Sequence, residues 1–288
     1  MNFVKMQAAG NDFVLIDARY GEQDWPELAK AMCHRRLGVG ADGLLLVLPS
    51  EVADLKMQMF NPDGSEAEAC GNGLRCLAKY AVEEGLVAAE DGGLSIETMA
   101  GLRRARVFMT GDEVARVEVS MGAPELSPGD IPLALGEGHG KLDIKPVLDY
   151  PLTVSGLGLR LSFVSMGNPH AVHFMEEPVE SFPLAEIGPL VENHPLFPQR
   201  TNFEIVNLLG RRQARARVWE RGAGETLACG SGACAIAVAA RLHGYTDDQL
   251  EVSLPGGTLT LSWDGEGEVV LSGPAETVFR GQWSKRWP

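Results

Sequence analysis

The chain has no uninterrupted run of about eighteen apolar residues, so no transmembrane helix is expected. Its first residues, Met1-Asn2-Phe3-Val4-Lys5-Met6, lack the basic-then-apolar layout of a signal peptide and read instead as a first strand. Basic residues are in deficit: 25 Lys and Arg stand against 39 Asp and Glu, a formal net charge of −14. Such a surface repels nucleic acid and anionic membranes, so neither is an expected partner. A polyanionic substrate is disfavoured, while a zwitterion held by local groups is allowed. Cysteine is scarce and odd in number, five in 288 residues, which argues against a disulfide framework and for a reducing, cytoplasmic setting. No readable signature of a pyridoxal phosphate site is present.

The composition itself, 45% hydrophobic and 22% charged, is that of a globular protein. Its length suits two domains. Short strands dominate. Leu55–Phe60, Ala214–Trp219 and Leu259–Trp263 alternate with period two, and Leu44–Leu48 reads as a strand buried on both faces. Helices are expected over Trp25–Arg36, Asn72–Glu84 and Ser231–His243. Gly85 and Gly244 stop the last two. The Ser231–His243 segment is apolar all round, so it is expected to be buried.

Two segments repeat each other. Ala69-Cys70-Gly71-Asn72-Gly73 and Ala228-Cys229-Gly230-Ser231-Gly232 are offset by 229 − 70 = 159 residues, and the same offset carries Glu66 onto Glu225 and Gly85 onto Gly244. The repeat implies two pseudo-symmetric α/β halves, each a sheet wrapped around one central helix. The expected first half is residues 1–121, joined by a return segment, 274–288, in which Thr277–Gly281 reads as a strand. The second half is 122–273, with a loop excursion over 129–150.

Each repeated cysteine starts a helix, where free N–H groups and the macrodipole favour a thiolate. Two such thiols, one per half, suit removal of a proton from one face of a stereocentre and return of one to the other. Zinc binding by Cys70/Cys76 or Cys229/Cys234 is disfavoured, because those separations point the side chains to different helix faces and no metal is expected. Cys33, Cys76 and Cys234 are expected to pack as small hydrophobes. A Cys–His hydrolase with His170 as base is a further reading, but it leaves the second cysteine without a role.

The segments Phe60–Cys76, Lys5–Phe13, Met166–His170 and Trp219–Gly232 closely resemble the signatures of the diaminopimelate epimerase family, over residues 5 to about 281. The resemblance implies a fold of two similar halves, each a curled, mainly antiparallel sheet or barrel around a central helix, with the active site between them. It implies a cofactor-independent isomerase that interconverts LL- and meso-2,6-diaminopimelate and acts as a homodimer. Cys70 and Cys229 would be the catalytic thiols, with His170 and Glu220 tuning their pKa values. Asn11, Asn61, Asn168, Asn202, Glu220 and Arg221 would bind substrate. The backbone at Gly71-Asn72 and Gly230-Ser231 would hold its α-carboxylate. Gly43 stands where some relatives carry a glutamine that touches the distal end of the substrate. Histidine or proline racemases, and a non-catalytic amino acid-binding protein, are the alternatives.

Overall fold

The structure is a computed structural model describing residues 1–67, 70–88, 92–134 and 145–284. Glu68 and Ala69 of the first cysteine motif, 135–144 of the expected loop and 285–288 of the expected return segment lie outside the described residues. Two compact units form, Met1–Ser120 with Ser272–Pro288, and Met121–Leu271. The first contains β1 (Asn2–Ala8), β2 (Asn11–Asp17), α1 (Trp25–Cys33), β3 (Gly43–Leu48), β4 (Leu55–Phe60), β5 (Glu66–Ala67), α2 (Gly71–Glu83), β6 (Gly93–Thr98), β7 (Gly101–Thr110) and β8 (Glu113–Ser120). The second contains β9 (Tyr150–Val154), β10 (Leu157–Ser165), β11 (Pro169–Phe174), α3 (Leu184–Glu192), β12 (Asn202–Leu208), β13 (Gln213–Glu220), β14 (Gly224–Thr226), α4 (Gly230–Leu242), β15 (Gln249–Leu254) and β16 (Gly257–Ser262). After β17 (Val270–Gly273) the chain ends in β18 (Glu276–Gln282), which pairs antiparallel with β1, Asn2 opposite Gln282.

The two units repeat one pairing scheme. In the first, β1–β2 is antiparallel, β2–β3 parallel, β3–β4 antiparallel, β4–β6 parallel and β6–β7 antiparallel. In the second, β10–β11, β11–β12, β12–β13, β13–β15 and β15–β16 follow the same alternation. The short strand before each central helix keeps the 159-residue offset: Phe60 faces Glu66 and Trp219 faces Glu225. Each sheet curls around its helix, so α2 packs on β1, β2, β3, β4, β7 and β8, and α4 on β10, β11, β12, β15 and β16.

Composition decides how deeply each helix sits. The α4 sequence, Ala-Cys-Ala-Ile-Ala-Val-Ala-Ala in its middle, needs no polar face and is buried throughout that stretch. Helix α2 buries Arg75 and Lys79 instead, and each is satisfied: Lys79 Nζ donates to Glu83 at 2.6 Å and to the Val114 carbonyl at 2.8 Å. Gly85 (φ +64°) and Gly244 (φ +73°) take the left-handed conformation that ends both helices. Helix α1 stops at Cys33, three residues before its expected end at Arg36. The N–H groups of Val39 and Gly40 turn back onto the Met32 carbonyl and that of Ala41 onto Cys33, so the loop caps carbonyls that a longer helix would have used. Among the described residues, no helix is long and apolar enough to cross a membrane.

Candidate active site

In the first unit Cys70 is the N-cap of α2, in extended backbone, and its side chain makes no capping bond to the helix. Its Sγ lies 3.7 Å from Asn11 Oδ1. Asn72 Nδ2 donates to the same oxygen at 3.1 Å, and Asn11 Nδ2 donates to Asp42 Oδ2 at 2.8 Å. Gly71 and Asn72 are buried in the first turn. Asn61 sits in the turn after β4, its Nδ2 3.0 Å from Ser65 Oγ. The Gly43 position is tight: a Cβ there would come within 3.1 Å of the Phe60 carbonyl oxygen and 2.9 Å of Met59 Cε.

In the second unit Cys229 is the N-cap of α4, and its Sγ accepts from the Gly232 N–H at 3.4 Å and lies 3.5 Å from Ser231 Oγ. The expectation that the helix start lowers the thiol's pKa fails for Cys229. Burial pushes it well above the ordinary cysteine value, the nearby Glu220 charge pushes the same way, and the Ser231 and Gly232 hydrogen bonds only partly offset them. Burial also raises the Glu220 carboxyl, against hydrogen bonds from Thr226 and Cys229 and the His170 charge. The unit therefore holds Cys229 as a thiol when no ligand is bound.

His170 is completely buried between two acceptors, Nδ1 at 2.7 Å from Glu204 Oε1 and Nε2 at 2.9 Å from Asn168 Oδ1. Asn168 Nδ2 reaches Ser231 Oγ at 3.4 Å, so the four groups form a chain that ends beside Cys229. Asn202, also buried, spends both ends of its amide on backbone: Oδ1 accepts from the Arg221 N–H at 2.9 Å and Nδ2 donates to the Pro169 carbonyl at 2.9 Å. It therefore shapes the loop that presents Arg221, an exposed residue whose Nη1 donates to the Gln199 carbonyl at 3.1 Å.

Cys33, Cys76 and Cys234 are buried. Burial pushes the Cys33 and Cys76 thiols up to about 12, which leaves them inert packing groups.

Glu204 was not singled out by sequence. It is fully buried, and its Oε2 has no hydrogen-bond partner among the described residues. Its only sequence signal is a lone carboxylate in the apolar run Phe203-Glu204-Ile205. The parallel β11–β12 pairing, in which Val172 faces Glu204, brings it to His170.

Comparison with known proteins gives a consistent result. A family model described as diaminopimelate epimerase matches residues 3–127 and 162–278. The diaminopimelate epimerase of Moorella thermoacetica is 52% identical over 284 residues, covering 98% of both chains. That of Pelotomaculum thermopropionicum is 46% identical over 99% of this chain and 100% of its own. Among solved structures, a hydroxyproline epimerase from Agrobacterium vitis superposes with a TM-score of 0.71 at 17% identity, over 98% of this chain and 90% of its own. A phenazine biosynthesis protein from Bacillus anthracis does so at 0.67 and 18%, over 98% of each chain. The fold is thus shared with distant proteins. Family membership rests on sequence identity spread along nearly the whole chain, and by that measure the chain belongs to the diaminopimelate epimerase family.

Proposed function

We propose that the chain interconverts LL- and meso-2,6-diaminopimelate without a cofactor, with Cys70 and Cys229 as its two acid–base groups. One observation carries the reading. Each unit repeats the same local construction at the start of its buried helix: an N-cap cysteine, glycines in the first turn, and a short strand leading in.

The reaction is demanding because an amino acid α-proton is very weakly acidic. One cysteine, as thiolate, takes that proton, and the C–H electron pair moves onto the α-carbon and its carboxylate. The other cysteine, as thiol, gives a proton to the opposite face. The reverse direction exchanges their roles, so the pair titrates as a coupled system. In the direction in which Cys229 donates, its raised thiol suits it to be the protonated member, and Cys70 gives up its proton once substrate is bound. First-turn N–H groups at Gly71-Asn72 and Gly230-Ser231 stabilise the charge that develops on the carboxylate. His170 and Glu220 set the electrostatics at Cys229. Arg221 offers the distal carboxylate a bidentate donor, and Asn11, Asn61, Asn168 and Asn202 order the groups around the substrate. The protein acts in the cytoplasm as a homodimer, and its product feeds lysine and peptidoglycan precursor synthesis.

Proton NMR of LL-diaminopimelate in D₂O with reduced protein tests this. The α-proton signal is expected to disappear as the meso isomer forms, and both changes are expected to stop in Cys70→Ser and in Cys229→Ser. Absence of exchange with diaminopimelate overturns the substrate, and undiminished exchange in either variant overturns the two-thiol reaction.

A further inference from the structure

Behind Cys70 lies a hydrogen-bonded chain whose direction is fixed from both ends. At one end is Arg75, completely buried in α2. Its Nη2 donates to Asn72 Oδ1 at 2.9 Å, its Nη1 to the Gly71 carbonyl at 3.4 Å and its Nε to the Pro274 carbonyl at 3.2 Å. At the other end is Asp42, whose Oδ2 accepts from Asn11 Nδ2 at 2.8 Å and from the Asp12 N–H at 3.1 Å. Between them, Asn72 Nδ2 donates to Asn11 Oδ1 at 3.1 Å.

An amide can be turned end for end at little cost unless its neighbours discriminate oxygen from nitrogen. Here both do. A guanidinium only donates, so the end of Asn72 that faces it is the oxygen. A carboxylate only accepts, so the end of Asn11 that faces it is the nitrogen. Asn11 Oδ1 is therefore turned toward the Cys70 sulfur, 3.7 Å away. An oxygen there accepts from an S–H but repels a thiolate.

We propose that Asp42 and Arg75 are positioning residues that act on Cys70 through the Asn11–Asn72 pair, holding the sulfur against a carbonyl oxygen and keeping it protonated until a ligand arrives. The inference rests on Cys70 being a reacting thiol. Asp42 is itself anchored from outside by Arg35, whose Nη2 lies 2.6 Å from Asp42 Oδ1 and 2.7 Å from Asp12 Oδ1. Lys5 also pairs with Asp12, at 2.5 Å. Among the described residues, the charged groups bonded within this chain or to its aspartate end are thus Arg75, Asp42, Asp12, Arg35 and Lys5. Such a device would spare Cys70 from alkylation and oxidation in the resting protein.

The test reads the thiol and not turnover, so its failure leaves the epimerase reading standing, and the converse holds too. Reduced, ligand-free protein is treated with iodoacetamide at neutral pH, and labelling at Cys70 is followed by peptide mass spectrometry. Cys229, in the other unit, serves as the internal control. The variants are Asp42→Asn, Asn11→Ala and the double substitution. The Asp42 side chain is 40% exposed, and asparagine matches its shape, so the fold is retained. In Asp42→Asn the group facing Asn11 no longer excludes the turned amide, while the Asn72 N–H, still directed by Arg75, goes on opposing it, so Cys70 is expected to label only a few-fold faster. Asn11→Ala is expected to speed labelling as well, and adding Asp42→Asn to it to change little further. The same acceleration by Asp42→Asn with or without Asn11 would overturn the proposal, because the aspartate would then act through its charge alone. Wild-type labelling in Asp42→Asn would overturn it too.

Discussion

Gly73 and Gly232 are the third residues of α2 and α4, and alanine at the two positions should behave differently. Both gain the same helix propensity, about 1 kcal/mol over glycine, so that contribution cancels in the comparison. The new methyl group meets different neighbours. At 73 its nearest contact is Leu45 Cδ2 at 3.0 Å, the tip of an aliphatic side chain, with Cys70 Cβ next at 3.6 Å. A small rotation of Leu45 relieves it. At 232 the nearest contact is Glu204 Oε1 at 2.9 Å, followed by Cys229 Cβ at 3.3 Å and Sγ at 3.4 Å. Glu204 cannot swing aside without stretching its 2.7 Å bond to His170, and Cys229 is anchored as the helix cap. Overpacking against groups held in this way costs about 1–3 kcal/mol. Gly73→Ala is therefore expected to stay within about 1 kcal/mol of the parent, and Gly232→Ala to fall about 1–3 kcal/mol below Gly73→Ala. Calorimetry would read this as a Tm lower by about 2–4 °C per kcal/mol. The α-proton exchange assay should show a second effect. A displacement of a few tenths of an ångström at the Cys229 sulfur is expected to slow exchange by roughly tenfold. Equal Tm values and equal exchange rates for the two variants would refute the reasoning, because they would show that Glu204 and Cys229 yield as easily as Leu45.

Two further outcomes follow from the second unit. Glu204→Ala strands the buried His170 ring and should cost about 3–5 kcal/mol, while Glu204→Gln keeps an acceptor and should cost much less; equal denaturation midpoints for the two would count against the pair. Cys229 should alkylate slowly at neutral pH and faster as pH rises, because burial and then Glu220 raise its pKa. Glu220→Gln removes the second cause and should shift that profile to lower pH, and an unmoved profile would exclude Glu220 as an influence on the thiol.

The central helices were legible because each is punctuated at both ends, by Cys-Gly at the start and by Gly85 or Gly244 at the stop. The strands 44–48, 55–60 and 214–219 were legible because one- or two-sided burial leaves a pattern in the residues themselves. The end of α1 was not: its apolar spacing runs on to Arg36, but the carbonyls of Met32 and Cys33 are claimed by the loop at 39–41. Glu204 was hidden for a related reason. A glutamate in a strand reads as one more outward-facing residue, and only the register of β11 on β12, set 34 residues away, turns it onto His170. The raised Cys229 thiol was missed because the helix-start effect can be read from sequence whereas depth of burial cannot, and burial is the larger cause.

The pairing of β18 with β1 reaches from Asn2 to Gln282 and is continued by hydrogen bonds between Met1 and Trp283. On a ribosome this reverses the usual order in which domains are completed. The second unit, Met121–Leu271, is one continuous stretch and is synthesised whole before residues 276–282 are added. The first unit, though synthesised first, waits for those last residues before its sheet can close, and until then the β1 edge stands open to any other strand.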